Sequence, residues 1–274
     1  MQNQKVIRFS KQFFLTLVWL FPLAWTIFSS FKSHVEVMTV GYHFTPVEWV
    51  LDNYIKILKS DTAPIVRWFG NSMFISTLHT LLAIIISSLA AYGYARLDFK
   101  GRDTMFWGLM ATMMFPAVVN LIPTFKIIHW LKWIDTPWAI IFPGLGGVFN
   151  IYLIRQFLLG IPKDLDEAAK IDGANHLQIY VKIIVPLSKP VLTVVGLFSF
   201  TGSWNDFLWP SIVMNDIDKM PLTPGLKLLQ GAFAAQLGPL SAGAVIAIIP
   251  PIILYLFAQS YFLEGINLSS GVKG

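Results

Sequence analysis

Residues 161–186 read IPKDLDEAAKIDGANHLQIYVKIIVP and form a charged island between two long apolar stretches. Small and apolar residues recur at the spacing of one helix face, namely Ile161, Leu165, Ala168 and Ala169. Charged residues take the opposite side of that helix, namely Lys163, Asp166, Glu167 and Lys170. The island therefore begins with a predicted amphipathic helix.

A glycine elbow separates this helix from a second, shorter one. Gly173 can adopt the left-handed conformation that ends a helix, and Asn175 with Gln178 three residues later predicts a capping box. Pro186 is expected to end the second helix or to begin the next segment. Its apolar face is predicted at Leu177, Tyr180, Val181 and Ile184. Two interpretations stay open: an edge that docks into a groove of another protein, or an ordinary helical hairpin between two spans.

The island also resembles the EAA loop of ABC importer permeases, whose pattern is EAA, two residues, DGA, an aromatic, an isoleucine and a proline-containing end. The residues that match this pattern are Glu167, Ala168, Ala169, Asp172, Gly173, Ala174, Tyr180, Ile183, Pro186 and Leu187. Val185 stands where leucine is usual. Other stretches resemble the sugar-importer branch of that family, and most closely the second permease subunit of maltose-type and multiple-sugar importers. They are Asp52-Asn53-Tyr54, Asn71-Ser72, Ala90 to Arg96, Asp135-Thr136, Trp204-Asn205-Asp206 and Gly271 to Gly274.

The composition independently indicates a membrane protein. The chain is 55% hydrophobic and only 13% charged, with 22 phenylalanines and 10 tryptophans. Several apolar runs reach the roughly 20 residues that a helix needs to cross a bilayer. The chain contains no cysteine, which excludes disulfides, thiol catalysis and cysteine-based metal sites. The net charge of +5 is attributed to basic cytoplasmic loops and not to nucleic-acid binding.

These runs predict an all-α membrane protein with a single transmembrane domain over residues 1–274. Pro116 and Pro123 are expected to kink the third span. Glycines at 144, 146 and 147 predict close helix contact within the fourth. The island, at 161–186, is a loop between the fourth and fifth spans. Six spans are predicted, at about residues 13–31, 68–94, 104–128, 138–158, 190–209 and 242–262.

Basic residues give the predicted orientation. Cytoplasmic loops of membrane proteins are enriched in lysine and arginine, and most of the basic residues near span ends fall on one side of the predicted membrane. Representative members of this cytoplasmic set are Lys5, Arg8, Lys11, Arg96, Lys100, Arg102, Lys163 and Lys170. The chain is therefore expected to be a multi-pass protein of a bacterial-type cell (inner) membrane, with both termini and the island in the cytoplasm.

The sequence contains no recognisable motif for bond chemistry. The GxxxxGK[ST] phosphate loop is absent, so this chain cannot itself supply the usual ATP site. Neither HExxH nor GxSxG occurs, and the five histidines are scattered. We therefore predict no catalytic, metal or cofactor site in this chain.

Polar residues inside apolar spans are costly in lipid and mark a candidate sugar path. Aromatic rings beside amide and carboxylate groups suit a sugar, which offers apolar CH faces and hydroxyl edges. The alternative is that these residues form helix–helix hydrogen bonds and interfacial anchors. The candidate residues are Trp204, Asn205, Asp206, Asn120 and Asn150.

The resemblance implies a permease subunit of an ATP-driven importer for a sugar, with an oligosaccharide as the expected substrate. It implies a heterodimer with a second permease, two cytoplasmic ATPase subunits that hold ATP and Mg²⁺, and an extracytoplasmic solute-binding protein. The EAA residues would then couple the ATPase subunits to the spans and perform no bond chemistry. A secondary transporter or a channel not driven by ATP is the competing class, and the EAA pattern argues against it.

Overall fold

The structure, a computed structural model, describes residues 2–38, 43–233 and 236–270. The regular structure of this part of the chain is helical, without a β-strand. The motif at 271–274 lies outside the described residues. In chain order the helices are α1 (Gln2–Ser30), α2 (His34–Met38), α3 (Asp52–Leu58), α4 (Ile65–Arg96), α5 (Arg102–Ala111), α6 (Leu121–Trp130), α7 (Trp138–Ile141), α8 (Val148–Leu159), α9 (Asp164–Ile171), α10 (His176–Ile179), α11 (Val185–Leu187), α12 (Lys189–Asn205), α13 (Leu208–Val213), α14 (Leu222–Ala232) and α15 (Leu237–Ser270).

Three of the predicted spans form single long helices. They correspond to the first, second and sixth predictions and belong to α1, α4 and α15. Pro250 and Pro251 lie inside α15 without ending it, as is tolerated in membrane helices where neighbouring groups satisfy the freed carbonyls. The stretches that are long and apolar enough to cross a membrane are Lys11–Ser30, Ile65–Arg96 and Leu237–Ser260.

The predicted third span is broken in its middle. Residues Arg102–Met114 and Ala117–Trp130 meet at an angle of 95°. Phe115 is extended, with ψ 128°, because the ring of Pro116 disfavours helical backbone at the residue before it. The kink expected at Pro116 therefore forms as a full break. A second bent pair is His176–Leu187 with Lys189–Asn205. The described residues therefore hold three helices that could each cross a membrane, or up to five spans if each bent pair counts as one. The number of six spans stays a prediction.

The predicted fourth span is also interrupted. Helix α7 ends at Ile141 and α8 begins at Val148. Gly144 takes a left-handed backbone, with φ +88°, so the glycines predicted to serve helix packing form a turn instead. The 12 residues of α8 span about 18 Å, less than the roughly 30 Å of a hydrocarbon core.

The chain divides into two compact units, of which the first comprises Met1–Gly70 and Met220–Ile249. The Trp68 side chain is fully buried there. A Cβ added to Gly225 would lie 2.4 Å from the Trp68 ring, so only glycine lets α14 approach the indole this closely. Asn53 donates two hydrogen bonds from its side-chain amide, to the carbonyl oxygens of Ser30 at 2.9 Å and Lys32 at 2.8 Å. These bonds satisfy carbonyl groups that the end of α1 leaves without helical partners.

The second unit comprises Asn71–Lys219 and Pro250–Gly274. The short helix α7 packs in one of its apolar clusters, and two polar side chains satisfy the carbonyl groups of α7. Trp209 donates from its indole nitrogen to the carbonyl of Ala139 at 2.8 Å, and His79 Nδ1 lies 2.8 Å from the carbonyl oxygen of Ile141. Such partners are needed because a one-turn helix leaves its carbonyl groups unbonded. The buried members of the cluster are Ile75, Ile128, Ala139, Ile140, Ile141, Val213 and Met214.

A carboxylate joins the loop before α7 to the segment after α13. Asp135 accepts hydrogen bonds from the backbone N–H groups of Asn215 and Asp216. Burial alone would raise the pKa of Asp135, but these N–H groups favour the ionised form and hold the pKa below its usual value. The hydrogen bonds to the ionised Asp135 carboxylate therefore stabilise the folded chain fully at pH values above the unfolded-state pKa. This stabilisation is lost as the pH falls through the lower folded-state pKa.

Candidate functional site

The elbow of the island forms as the sequence predicts. Gly173 has φ +84° and donates its N–H to the carbonyl of Lys170 at 3.0 Å. The N–H of Ala174 reaches the carbonyl of Ala169 at 2.9 Å. This pair of bonds is the Schellman motif, which ends a helix at a left-handed glycine. The left-handed glycine and its two hydrogen bonds therefore fix the direction in which the chain leaves α9.

The capping box after the elbow is also confirmed. The Asn175 side chain accepts from the Gln178 N–H at 2.9 Å, and the Gln178 side chain accepts from the Asn175 N–H at 2.9 Å. The two residues thereby satisfy two donors that the start of α10 leaves unbonded. The elbow and its neighbours are thus held on both sides by local hydrogen bonds.

Of the two roles predicted for Pro186, ending the second helix is wrong, whereas Pro186 does lie in the first turn of the next helical segment, α11. The second helix continues from α10 through a π-helical turn, Tyr180–Ile184, into α11. The break falls at Ser188, and His176–Leu187 meets Lys189–Asn205 at 78°. Pro186 lacks the N–H that an α-helical turn would use, which is compatible with its place just after a π-helical turn.

The inner face of the island packs on α4 and α8. Ala169 from α9 and Ile179 from α10 join Ile184, at the end of the π-helical turn, in one apolar cluster. Ile179 and Ile184 are five residues apart because the π-helical turn lengthens the repeat. The buried residues they contact in this cluster include Ala91, Tyr92, Ala95, Ile151, Ile154 and Leu158.

The outer face of the island is more apolar than the sequence suggested. Leu177 and Val181 were predicted to share one apolar face with Tyr180 and Ile184, but only the latter two pack inward: Leu177 is 65% exposed and Val181 is 53% exposed. Leu177 and Val181 are four residues apart on one side of the helix, and the side that packs inward runs through Ile179 and Ile184 instead. Ile171 is 86% exposed. We call Leu165, Ile171, Leu177 and Val181 the apolar outer face.

The predicted EAA residues divide between the two faces. Ala169 is buried against the cluster, whereas Glu167, Ala168 and Asp172 are exposed. Ala174, Tyr180 and Ile183 are partly buried and pack against the same cluster. The acids in the first turn of α9 lie where the helix dipole favours negative charge.

Asp166 was assigned to the charged outer side of α9, and this is wrong. Its side chain is buried, and Oδ2 lies 3.5 Å from Nη1 of Arg96. Arg96 also donates from Nη2 to the carbonyls of Leu158 and Ile161, each at 2.9 Å. One guanidinium therefore contacts the end of α8, the residue that opens the island and the first turn of α9.

Sequence reasoning missed three residues of α4 that hold the island. Arg96 was interpreted as a cytoplasmic loop charge and, with Tyr92, as part of the Ala90–Arg96 run that resembles sugar-importer permeases. Neither was given a role in holding the island, and Ser88 was not singled out. The hydroxyl groups of Ser88 and Tyr180 lie 2.7 Å apart, and the Tyr92 hydroxyl donates to the carbonyl of His176 at 3.3 Å. A signal was available in their spacing: Ser88, Tyr92 and Arg96 recur at every fourth residue, which places three polar groups along one side of the helix at the end of an apolar span.

The candidate sugar-path residues do not form one cluster. Trp204 is 2% exposed and stacks on Phe200, with ring centroids 5.6 Å apart. Asn205 is exposed, and the Asp206 carboxylate accepts a hydrogen bond from the Trp209 N–H at the start of α13, at 3.3 Å. Trp204 and Asp206 therefore both have structural contacts.

The two remaining candidates lie in other helices. Asn150 in α8 donates to the Ser199 hydroxyl at 3.1 Å, which joins α8 to α12. Asn120 is exposed at the start of α6, immediately after the break in the third predicted span. Asn150 thus also has the helix–helix role that the alternative interpretation assigned. Among the described residues, no group of three or more histidine, aspartate or glutamate side chains could hold a metal ion.

Residues 83–267 match the family described as "Binding-protein-dependent transport system inner membrane component". Relatives among permease proteins are similar to nearly the whole chain. The arabinooligosaccharides transport system permease protein of Halalkalibacterium halodurans is 35% identical over 263 residues, which cover 95% of this chain and 94% of the relative. The trehalose/maltose transport system permease protein of Thermococcus litoralis is 32% identical over 263 residues, with the same coverage of 95% and 94%.

The fold is similar to that of solved transporter chains. One belongs to the crystal structure of a bacterial ABC transporter involved in the import of the acidic polysaccharide alginate, with a TM-score of 0.84, 26% identity and coverage of 95% of this chain and 97% of that chain. Another belongs to a bacterial alginate ABC transporter in complex with alginate pentasaccharide-bound periplasmic protein, with a TM-score of 0.64 and 15% identity. The second likeness concerns the fold alone.

Proposed function

The chain belongs to the family of binding-protein-dependent transport system inner membrane components, and on that premise we propose that it is one permease subunit of an ATP-driven importer for an oligosaccharide. It is a transport subunit and not an enzyme. The observation that carries the proposal is the island, a rigid elbow that packs one face on α4 and α8 and leaves an apolar face uncovered in this chain. Because the island is proposed to lie outside the membrane, its exposed apolar surface is proposed to contact another protein and not lipid.

The proposed partners follow from the family and from the relatives. Permease proteins for arabinooligosaccharides and for trehalose or maltose are similar to this chain over almost its full length, which supports a sugar as the cargo. We assign to the importer a second permease, two ATPase subunits that bind ATP and Mg²⁺ in the cytoplasm, and an extracytoplasmic solute-binding protein. This chain would supply half of the path and no nucleotide site.

The proposed topology is six spans in the cell membrane, with both termini and the island in the cytoplasm. The apolar helices and bent pairs support several crossings, and the basic residues near the island support its cytoplasmic position. Because the chain has no cysteine, single cysteines can be introduced at Asp172 and Asp216 and probed with an impermeant thiol reagent in intact cells. Labelling is expected at position 216 and not at 172, and the reverse result would exclude this orientation.

In the proposed mechanism the island transmits motion between the ATPase subunits and the spans. The exposed Glu167, Ala168 and Asp172 and the apolar outer face would contact the ATPase. Gly173 and Ala174 set the elbow angle, and Ala169, Tyr180, Ile183 and Pro186 join the elbow to the membrane helices. ATP and the loaded binding protein must each favour a different state of the importer, because a ligand shifts an equilibrium only through its differential affinity for the two states.

Reconstituted uptake tests the function. The complete importer is reconstituted in proteoliposomes with its ATPase subunits and ATP inside the vesicles and sugar-loaded binding protein outside. These vesicles are expected to accumulate labelled arabinooligosaccharides or maltose. Imposed proton or sodium gradients without ATP are expected to drive no uptake. Uptake that follows an ion gradient and ignores ATP would instead identify a secondary transporter, and uptake that needs neither would identify a channel.

The sugar path is proposed to run beside the outer end of α12, where Asn205 is the exposed member of the Trp204–Asp206 motif. Asn205→Ala is expected to lower sugar uptake about 5- to 10-fold, the effect of losing one hydrogen bond of roughly 1–1.5 kcal/mol. Thr201→Val is the matched control, because the Thr201 hydroxyl is already bonded within α12 to the carbonyl of Leu197 at 2.7 Å. Equal uptake by both variants, with intact complexes, would leave the motif a structural role only.

A further inference from the structure

We infer that Arg96 and Asp166 form the positioning contact through which motion of α9 reaches α4 and α8. This inference rests on the proposed function and adds two residues that lie outside the EAA pattern. Arg96 is the last residue of α4 and its side chain is 2% exposed, while the Asp166 side chain is 12% exposed. The pair is therefore enclosed by protein and cannot act by touching the ATPase subunits.

The contacts of Arg96 require a guanidinium. Its Nη2 atom donates to two carbonyl groups, of Leu158 and Ile161, while Nη1 faces the carboxylate of Asp166. Arginine presents five N–H donors in a rigid planar fork, so it can bond several acceptors at fixed angles. The ammonium group of lysine is a compact point charge and cannot reach all three groups together.

The positions of these acceptors explain how the contact transmits motion. The carbonyl of Leu158 lies in the last turn of α8, where helical carbonyl groups lack partners within the helix, and Ile161 opens the island. Both bonds hold the guanidinium against α8 and fix its orientation at the end of α4. Asp166, in the first turn of α9, is the third partner, so α9 is attached to the other two helices through one charged group.

The ion pair itself is incompletely formed. The Nη1–Oδ2 separation is 3.5 Å, longer than the roughly 2.7–2.9 Å of a charge-assisted hydrogen bond. Within the described part of the chain, Arg96 Nε and Asp166 Oδ1 are buried and have no hydrogen-bond partner. A small rotation of α9 that brought these atoms together would complete a two-pronged contact, whereas the carbonyl bonds already made would stay. The pair thus has a looser and a tighter arrangement available, and α9 selects between them.

The test measures ATP hydrolysed per sugar imported, in proteoliposomes with the complete importer and labelled maltose or arabinooligosaccharide as the probe. Asp166→Asn keeps the size of the side chain and removes its charge, and it is expected to raise this ratio at least 3-fold. Asp166→Glu keeps the carboxylate and is expected to stay within 1.5-fold of the wild-type ratio. Asp164→Asn is the matched control, since Asp164 is an exposed acid in the same first turn of α9, and it is expected to leave the ratio unchanged.

Arg96→Lys provides an independent second variant, because it keeps the positive charge and loses the fork. The same rise in ATP per sugar is expected, and melting temperatures of the purified complexes separate this effect from a loss of folding. A purely structural role predicts lower melting temperatures and lower rates with an unchanged ratio, and that result would overturn the inference. An equal rise for Asp164→Asn would also overturn it. A wild-type importer without ATP-dependent uptake would overturn the proposed function and this inference with it.

Discussion

Replacing Gly173 by valine is expected to lower the stimulation of ATP hydrolysis by sugar-loaded binding protein by a factor of roughly 5 to 150. The backbone of Gly173 has φ +84°, and holding a β-branched residue in this region costs about 1–3 kcal/mol, which is a factor of that size in an equilibrium constant. An added Cβ would meet nothing within 4 Å. The effect must therefore come from the backbone angle and not from a steric clash.

Gly173→Val is expected to lower the stimulation of ATP hydrolysis because the elbow is lost. If residue 173 leaves the left-handed conformation, the bonds from residue 173 to Lys170 and from Ala174 to Ala169 cannot both persist. The angle between α10 and α9 then changes, and the exposed residues of the two helices no longer lie side by side on one surface. The importer would bind its ATPase subunits weakly, or bind them without transmitting their motion.

Two control variants isolate this cause. Gly173→Asn is expected to keep most of the stimulation, because asparagine adopts the left-handed conformation more readily than other non-glycine residues. Glu167→Gln removes an exposed charge, whose pairing contributes only about 0–1 kcal/mol, so its effect should be the smallest of the three. The assay is ATP hydrolysis by purified complexes in lipid, with retention of the ATPase subunits measured in parallel. Full stimulation and normal retention in Gly173→Val would remove the central support of the coupling mechanism.

The elbow could be predicted from sequence because its determinants are local. Gly173 supplies a left-handed stop, and Asn175 and Gln178 cap the next helix, so every group that fixes the turn lies within a few residues along the chain. The long apolar spans were predictable for a similar reason, because a run of apolar residues is itself the requirement for crossing a bilayer.

The attachments of the island could not be predicted in this way. Arg96 and Asp166 are 70 positions apart in the chain, and neither a charged residue after a span nor an acid in a charged helix indicates burial. Leu177 and Val181 were placed on the apolar face of the second helix, whereas the buried face runs through Ile179 and Ile184. Which face is buried depends on packing against α4 and α8, which a single-helix pattern does not contain.

The candidate sugar path was predicted least well. A tryptophan beside amide and carboxylate groups is compatible with sugar binding, yet the ring of Trp204 is buried against Phe200 and the Asp206 carboxylate accepts a hydrogen bond from the Trp209 N–H. Composition could identify the motif but could not tell which of its side chains face an open path. The breaks near Phe115 and between Ile141 and Val148 were anticipated only as a kink and as close packing. Whether the glycines after Ile141 interrupt the span depends on partners from other elements, such as Trp209 and His79, which bond the carbonyl groups of α7.

Leu177→Asp is expected to weaken binding of the ATPase subunits by about 30- to 1,000-fold, which corresponds to roughly 2–4 kcal/mol at an interface hot spot. Leu177 is 65% exposed and lies on the apolar outer face with Ile171 and Val181. Burying a leucine side chain in an interface contributes about 1.5–3 kcal/mol, and an aspartate there would also need a partner for its buried charge. The chain itself should fold normally, since the side chain makes little contact within it.

Retention of the ATPase subunits at increasing dilution measures this effect, and two variants separate its causes. Leu177→Ala removes apolar area without adding charge and should fall between wild type and Leu177→Asp. His176→Asp adds an acid at the neighbouring exposed position, in the first turn of α10, where the helix dipole favours negative charge, and should keep near-normal binding. If all three variants retain their ATPase subunits equally, the apolar outer face does not contact the ATPase. The docking surface must then be sought on the other exposed residues of the island, such as Glu167, Ala168 and Asp172.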